Sequence, residues 1–142
     1  MNESHTPALQ QMARDWYHLL DIHAPLLELM PMVAREGLEM VLPEVTLRGQ
    51  NDFVNWYQGV IRIFFDEVHV VKQADVTYSG DEAHVNIVVH WEASVWKPPA
   101  RNSERINCEA FQRWIVVLED GKPVIKTYLV DRLEYNAGSA TL

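Results

Sequence analysis

Residues 82–96 constrain the chain more than any other segment, because apolar and polar side chains alternate along them almost without a break. Val85, Ile87, Val89, Trp91, Ala93 and Val95 share one parity, and His84, Asn86, His90, Glu92 and Ser94 share the other. Successive side chains of a strand point to opposite faces, so the pattern predicts a long strand with one buried and one largely polar face. Turn signals at Ser79-Gly80-Asp81 and Asp120-Gly121-Lys122 cut the sequence from Val68 onward into a meander. Its members are a strand opening near Val68, the alternating strand, a strand over about 105–118 and a last one over 124–135, with residues 97–103 as a loop.

Upstream of Val68 the period changes. Thr6-Pro7 has the form of an N-cap followed by proline at the first helical position, and Leu9, Met12, Ala13, Trp16, Leu19 and Leu20 then recur at helical spacing. This predicts a helix ending near residues 21–23. Pro25 and Pro31 bracket a short apolar segment, and Met32, Val33, Glu36 and Leu38 suggest a second short helix stopped around Gly37. A short strand over 44–48 follows, with Val45 and Leu47 on one side. Asn51 or Asp52 caps a third helix, whose apolar face carries Phe53, Trp56, Tyr57, Val60, Ile61, Phe64 and Phe65. Helices followed by a run of strands predict an α+β fold, a cone-shaped curved mixed sheet wrapped around the N-terminal helices over a tapering cavity. One domain is expected over 1–142, with its core at about 7–135 and a loose tail at 136–142.

The composition suits a compact chain with an ordinary core: 142 residues, 48% hydrophobic and 23% charged. Twelve basic against twenty acidic residues give a formal charge of −8, which repels phosphate backbones and anionic lipid, so neither nucleic acid nor membrane is an expected partner. The longest apolar runs fall short of the ~20 residues a membrane helix needs. Residues 1–11 lack the basic and apolar regions of a signal peptide, so a cytoplasmic protein is expected. Cys108 is the only cysteine, which excludes an intrachain disulfide and a cysteine-rich zinc site. No HExxH or paired His-x-His spacing occurs, no glycine loop suits a phosphate, and no nucleophile elbow is present. Neither a metal nor a cofactor is expected.

The element order, together with Trp16-Tyr17-His18-Leu19-Leu20-Asp21 in the first helix, Phe53-Val54-Asn55-Trp56-Tyr57 in the third, His69 opening the second strand and Tyr128-Leu129-Val130-Asp131 in the last, resembles the nuclear transport factor 2-like superfamily, in its SnoaL-like and scytalone dehydratase-like branch. The superfamily contains isomerases, dehydratases, cyclases and proteins without catalysis, so the resemblance alone does not choose among them. Members similar to ketosteroid isomerases place an acidic base before the proline that leaves helix two; here Leu42 precedes Pro43, so that base is absent. The resemblance to scytalone dehydratase implies that Asp21 and His69 act together on a substrate. The second histidine of that family aligns near Ala93, with His90 on the opposite strand face. Similarity to SnoaL-like cyclases implies a role for Asp131.

The residues themselves support these candidates to different degrees. Asp131 shares parity with Ile125, Leu129, Leu133 and Tyr135, which predicts a carboxylate facing the cavity with a raised pKa; the alternative is a structural pairing with an arginine. His69 carries an imidazole whose ordinary pKa of about 6.5 suits proton transfer, and a carboxylate such as Asp21 would fix its tautomer. Against that, an aspartate at a helix end also serves as a cap or turn residue. Trp16, Tyr17, Trp56, Tyr57 and Trp91 are candidates to line a pocket for a small hydrophobic or cyclic ligand, with Tyr17 or Tyr57 hydrogen-bonding a carbonyl or hydroxyl. The polar and aromatic outer sheet face suits a homodimer. Two readings stay open: a cofactor-independent lyase or isomerase working by acid/base chemistry, or a non-catalytic binding or assembly module of the same fold.

Overall fold

The computed structural model describes residues 1–142. Helix α1 spans Thr6–Asp21, α2 is the single turn Leu26–Leu29, and α3 spans Gly49–Ile63. Two short strands, β1 (Glu39–Val41) and β2 (Thr46–Arg48), precede α3, and four long ones follow it: β3 (Phe64–Ser79), β4 (Glu82–Val95), β5 (Glu104–Glu119) and β6 (Lys122–Tyr135). Together they form one mixed, curved and unclosed sheet in the order β2-β1-β6-β5-β4-β3, antiparallel throughout except for the β1–β6 pair. This is the α+β architecture expected from the sequence.

Helix α1 forms because Leu9, Met12, Ala13, Trp16 and Tyr17 lie on one stripe, which is buried against the concave face of β3 and β5. Its start differs from the expectation. Thr6 is already helical and its hydroxyl is bonded 2.6 Å from the Tyr78 hydroxyl, while a preceding 3₁₀ turn, Glu3–His5, is capped by Asn2. The second helix also differs: α2 and a 3₁₀ turn at Met30–Met32 occupy the Pro25–Pro31 region, and the chain is then extended through β1. Met40 and Leu38 are buried because they enter the sheet core, a tertiary contact that the helical spacing of 32–38 does not anticipate. The tail is not loose. Ala140 donates its N–H to Arg105 O at 2.9 Å and the Ser139 hydroxyl accepts from Asn107 N at 2.8 Å.

The alternating strand behaves as its pattern demands. Ala83, Val85, Ile87, Val89, Ala93 and Val95 are all buried on the concave face. Trp16 anchors the core, its ring 5.8 Å from Phe53, 6.2 Å from Trp114 and 6.1 Å from Tyr128, centroid to centroid. The indole N–H groups of Trp16 and Trp114 are buried without an acceptor, a cost of roughly 1–3 kcal/mol each that the aromatic packing offsets. Cys108 lies in a small satellite cluster with Val95 and Ile106, where burial pushes its thiol up to about 11.

Four β-bulges, one of them at Lys72 between Val71 and Gln73 in β3, decide which residues face inward. In β3, Phe65 pairs with Ser94 and Val68 with Glu92, so Asp66 and Glu67 together oppose the single residue Ala93. Asp66 takes a left-handed φ of 52°, which aspartate tolerates better than most side chains. In β6, extra residues sit at Lys126 and Asp131. Because Ile87 is 1% exposed at the centre of the core, Ile87→Ala should lower the free energy of unfolding in urea by about 2–5 kcal/mol. Thr77→Ala, on the solvent side of β3, should change it by less than about 0.5 kcal/mol.

Candidate active site

The sheet and the inner faces of α1 and α3 line a cavity of about 510 Å³ that is open to solvent on one side. Its wall is mostly apolar: Leu20, Val60, Ile61 and Ile63 from the helices, Leu42 and Pro43 from the β1–β2 hairpin, and Phe64, Trp91, Ala110, Val130 and Leu133 from the sheet. Leu142 of the tail completes it. Polar groups in the wall are few, and His69, Glu67, Gln112 and Tyr128 stand out among them.

His69 and Asp21 meet as the sequence suggested. Asp21, the last residue of α1, accepts the His69 backbone N–H on Oδ2 at 3.0 Å and contacts Nδ1 of the ring through Oδ1 at 2.5 Å. An ionised carboxylate can only accept, so Nδ1 carries the hydrogen and Nε2 is the basic nitrogen. Nε2 has no partner within the protein. The side chains are 10% and 18% exposed, which keeps bulk water from competing for the pair. The imidazole also lies against two rings, with centroids 5.2 Å from Tyr17 and 5.9 Å from Trp91.

A second pair, built the opposite way round, lies beside the first. Glu67 on β3 accepts at Oε2, 2.8 Å from Nε2 of His23, and at Oε1 from the Trp91 indole N–H at 3.2 Å. His23 follows α1 with a left-handed φ of 50°. Glu67 was not among the residues expected from the sequence. Its place two residues before His69, on the same strand face, is the signal that could have found it.

The phenols form a third group. Tyr17 donates to Gln112 Oε1 at 2.8 Å and lies 3.2 Å from the Tyr128 hydroxyl. Burial, reinforced by Tyr128, holds the Tyr17 phenol well above its usual range, and burial pushes Tyr128 up to about 12. Gln112 keeps its two amide N–H donors free of protein partners. It is the one polar residue on the otherwise apolar inner parity of β5, between Ala110 and Trp114, and that interruption was a readable signal.

Other expectations are corrected. Asp131 does not face the cavity: Arg113 donates from Nε and Nη2 to its two carboxylate oxygens, both at 2.8 Å, on the outer sheet face. The bulge at this position breaks the parity with Leu133, and the hydrogen bonds from Arg113 hold the carboxyl below its usual range rather than above it. Trp16 and Tyr17 are core residues behind the wall, because the α1 stripe that carries them is consumed by helix–sheet packing. Trp56, Tyr57 and Trp91 do line the cavity. The Tyr57 hydroxyl is spent on Ala24 O at 2.5 Å and that of Tyr17 on Gln112, so neither is left for a ligand carbonyl.

No protein-family model and no curated protein sequence matches the chain. Solved structures do. It is similar to a protein named as a scytalone dehydratase from Novosphingobium aromaticivorans, at 19% identity and a TM-score of 0.69, over 98% of this chain and 90% of that one. It is similar to a hexachlorocyclohexane dehydrochlorinase from Novosphingobium barchaimii, at 14% identity and a TM-score of 0.76, over 98% and 94%. A ketosteroid isomerase-like protein from Erwinia carotovora matches at 13% identity and a TM-score of 0.71, over 96% and 99%. At such identities the likeness is one of fold, and the fold is the nuclear transport factor 2-like, cystatin-like one.

Asp131→Asn removes an exposed ion pair outside the cavity, so it should cost less than about 1 kcal/mol of stability and leave occupancy of the cavity by an apolar fluorescent dye unchanged. The buried phenols set an alkaline limit. A group whose folded pKa is raised contributes stability that is complete below its unfolded pKa of about 10 and is lost as pH rises through the folded value. Urea stability should therefore fall between about pH 10 and 12, and fall less steeply in Tyr128→Phe.

Proposed function

We propose that the chain is a cofactor-independent lyase that takes a proton from carbon in a small, largely apolar cyclic substrate. The observation that carries this reading is His69, with Nδ1 anchored on Asp21 and Nε2 unpartnered in the wall of an apolar cavity. The imidazole is the base. Asp21 fixes its tautomer and stabilises the imidazolium that forms. Gln112 offers its amide N–H donors to negative charge developing on a substrate oxygen, a role for which the two expected tyrosines have no free hydroxyl. Apolar walls select a flat or cyclic body, with Trp56, Tyr57 and Trp91 as rigid surfaces. Leu42 before Pro43 leaves the ketosteroid-isomerase base position without a carboxylate, which favours a lyase with its base on β3. The names of two structural neighbours, a dehydratase and a dehydrochlorinase, denote eliminations.

Carbon-proton removal can be read without the natural substrate. In D₂O the wild type should exchange the α hydrogens of cyclohexanone, followed by proton NMR, and His69→Gln should slow this by ~100-fold or more with unchanged circular dichroism. Asp21→Asn should slow it as well, by at least ~10-fold. Equal exchange by wild type and His69→Gln would remove the base. The non-catalytic binding module would then stand, a reading favoured by the tyrosine hydroxyls being committed to protein acceptors.

The chain is further proposed to pair with a second copy through the outer sheet face. Phe65, Val68 and Val70 are exposed there on edge strand β3, beside a mixed-charge strip of His90, Glu92, Glu109 and Arg105. Light scattering should give twice the monomer mass at micromolar concentration, and Val68→Lys should shift it towards the monomer.

A further inference from the structure

Glu67 is a carboxylate in a mostly apolar cavity wall, and the base assigned to His69 makes no use of it. Its side chain is 11% exposed, it faces inward only because the bulge at Asp66 turns it there, and its partner is itself titratable. Residues two apart on a strand share a face at roughly 6–7 Å, so Glu67 and His69 present an acid and a base to one small substrate. Trp91 ties them together, stacking on the His69 ring and donating its indole N–H to Glu67. His23, at 27% exposure, is in reach of solvent.

We infer that Glu67, supplied by His23, is the proton donor to the leaving group, and that the substrate is therefore an alcohol that loses water rather than a halide that loses chloride. The inference rests on the lyase reading with His69 as base. A chloride departs as a stable anion, whereas hydroxide departs poorly until it is protonated. In the step, His69 Nε2 takes the proton of the carbon beside the activating group, and the electron pair of that C–H bond forms the C=C bond. The C–O bond breaks as a proton reaches the departing oxygen through Glu67: His23, protonated at the start, passes its Nε2 proton to Oε2 of the Glu67 carboxylate, and the carboxyl so formed passes it to the oxygen, which leaves as water. Glu67 is again a carboxylate, and His23, left neutral, regains its proton from solvent. Imidazolium at His69 is held by Asp21 until its proton returns to water. The two histidines end as they began, and the substrate has lost one water.

Two probes of different leaving-group demand test this. 3-Hydroxycyclohexanone loses water, and 3-acetoxycyclohexanone loses acetate, which needs no proton; both give cyclohexenone, followed by its absorbance. Glu67→Gln keeps an acceptor for the Trp91 indole but cannot relay a proton. It should slow loss of water by ~100-fold or more and loss of acetate far less, whereas His69→Gln should slow both by ~100-fold or more. His23→Asn, a residue that tolerates the left-handed backbone at this position, should reproduce the selective loss in weaker form. Equal slowing of the two probes by Glu67→Gln would reduce Glu67 to a structural role, and no slowing of either would make it a bystander. Either result, with His69→Gln still impaired on both, overturns the assignment of Glu67 and leaves the base standing. His69→Gln active on both probes would instead overturn the lyase reading.

Discussion

The site depends on a double clasp between the end of α1 and the start of β3. Asp21 holds His69, and two residues on, His23 holds Glu67. Each clasp joins a carboxylate to an imidazole, with the two partners exchanged between helix and strand. Asp21 binds the strand backbone as well as the ring, so the position of the catalytic imidazole is set by the same contacts that seat the helix on the sheet. Remove that joint and the cavity loses its polar corner, although the aromatic core around Trp16 would still hold the layers together.

Bulges do the rest of the positioning. Phe64 faces inward opposite Val95, and on an unbroken strand Asp66 and Val68 would follow it. The extra residue at Asp66 reverses the parity, so Glu67 and His69 point into the cavity while Val68 and Val70 face out. In β6 the same device acts in the other sense. It keeps Tyr128, Val130 and Leu133 inside and leaves Asp131 outside, neutralised by Arg113. The polar corner that results holds buried phenols, the Gln112 amide and two carboxylates, Asp21 and Glu67, each paired with an imidazole.

Much of this was legible in the sequence, for physical reasons that differ by residue. Period-two patterning in 82–96 specified β4 and its buried face, because a strand with one wet face has no other way to arrange its side chains. The α1 stripe and the α3 face as far as Ile61 were legible for the same kind of reason, but Phe64 and Phe65, read as part of that face, open β3 instead. Asp21 and His69 were found through their places at element boundaries, where the resemblance supplied their roles. Asp131 was misplaced because parity counting assumes an unbroken strand, and a bulge carries no reliable mark in composition. The β1 strand was missed because three residues, Glu39–Val41, are too few to show a period, and its pairing with β6 spans nearly ninety positions of sequence.

In the proposed site, Asp21 fixes His69 as the tautomer with a bare Nε2 facing the cavity. Nitrogen-15 NMR of the histidine side chains, recorded at a pH where the rings are neutral, measures this directly. His69 should show a protonated Nδ1 and an unprotonated Nε2, and Asp21→Asn should redistribute the proton between the two nitrogens. A His69 protonated at Nε2, or one whose tautomer is indifferent to Asp21→Asn, would contradict the account.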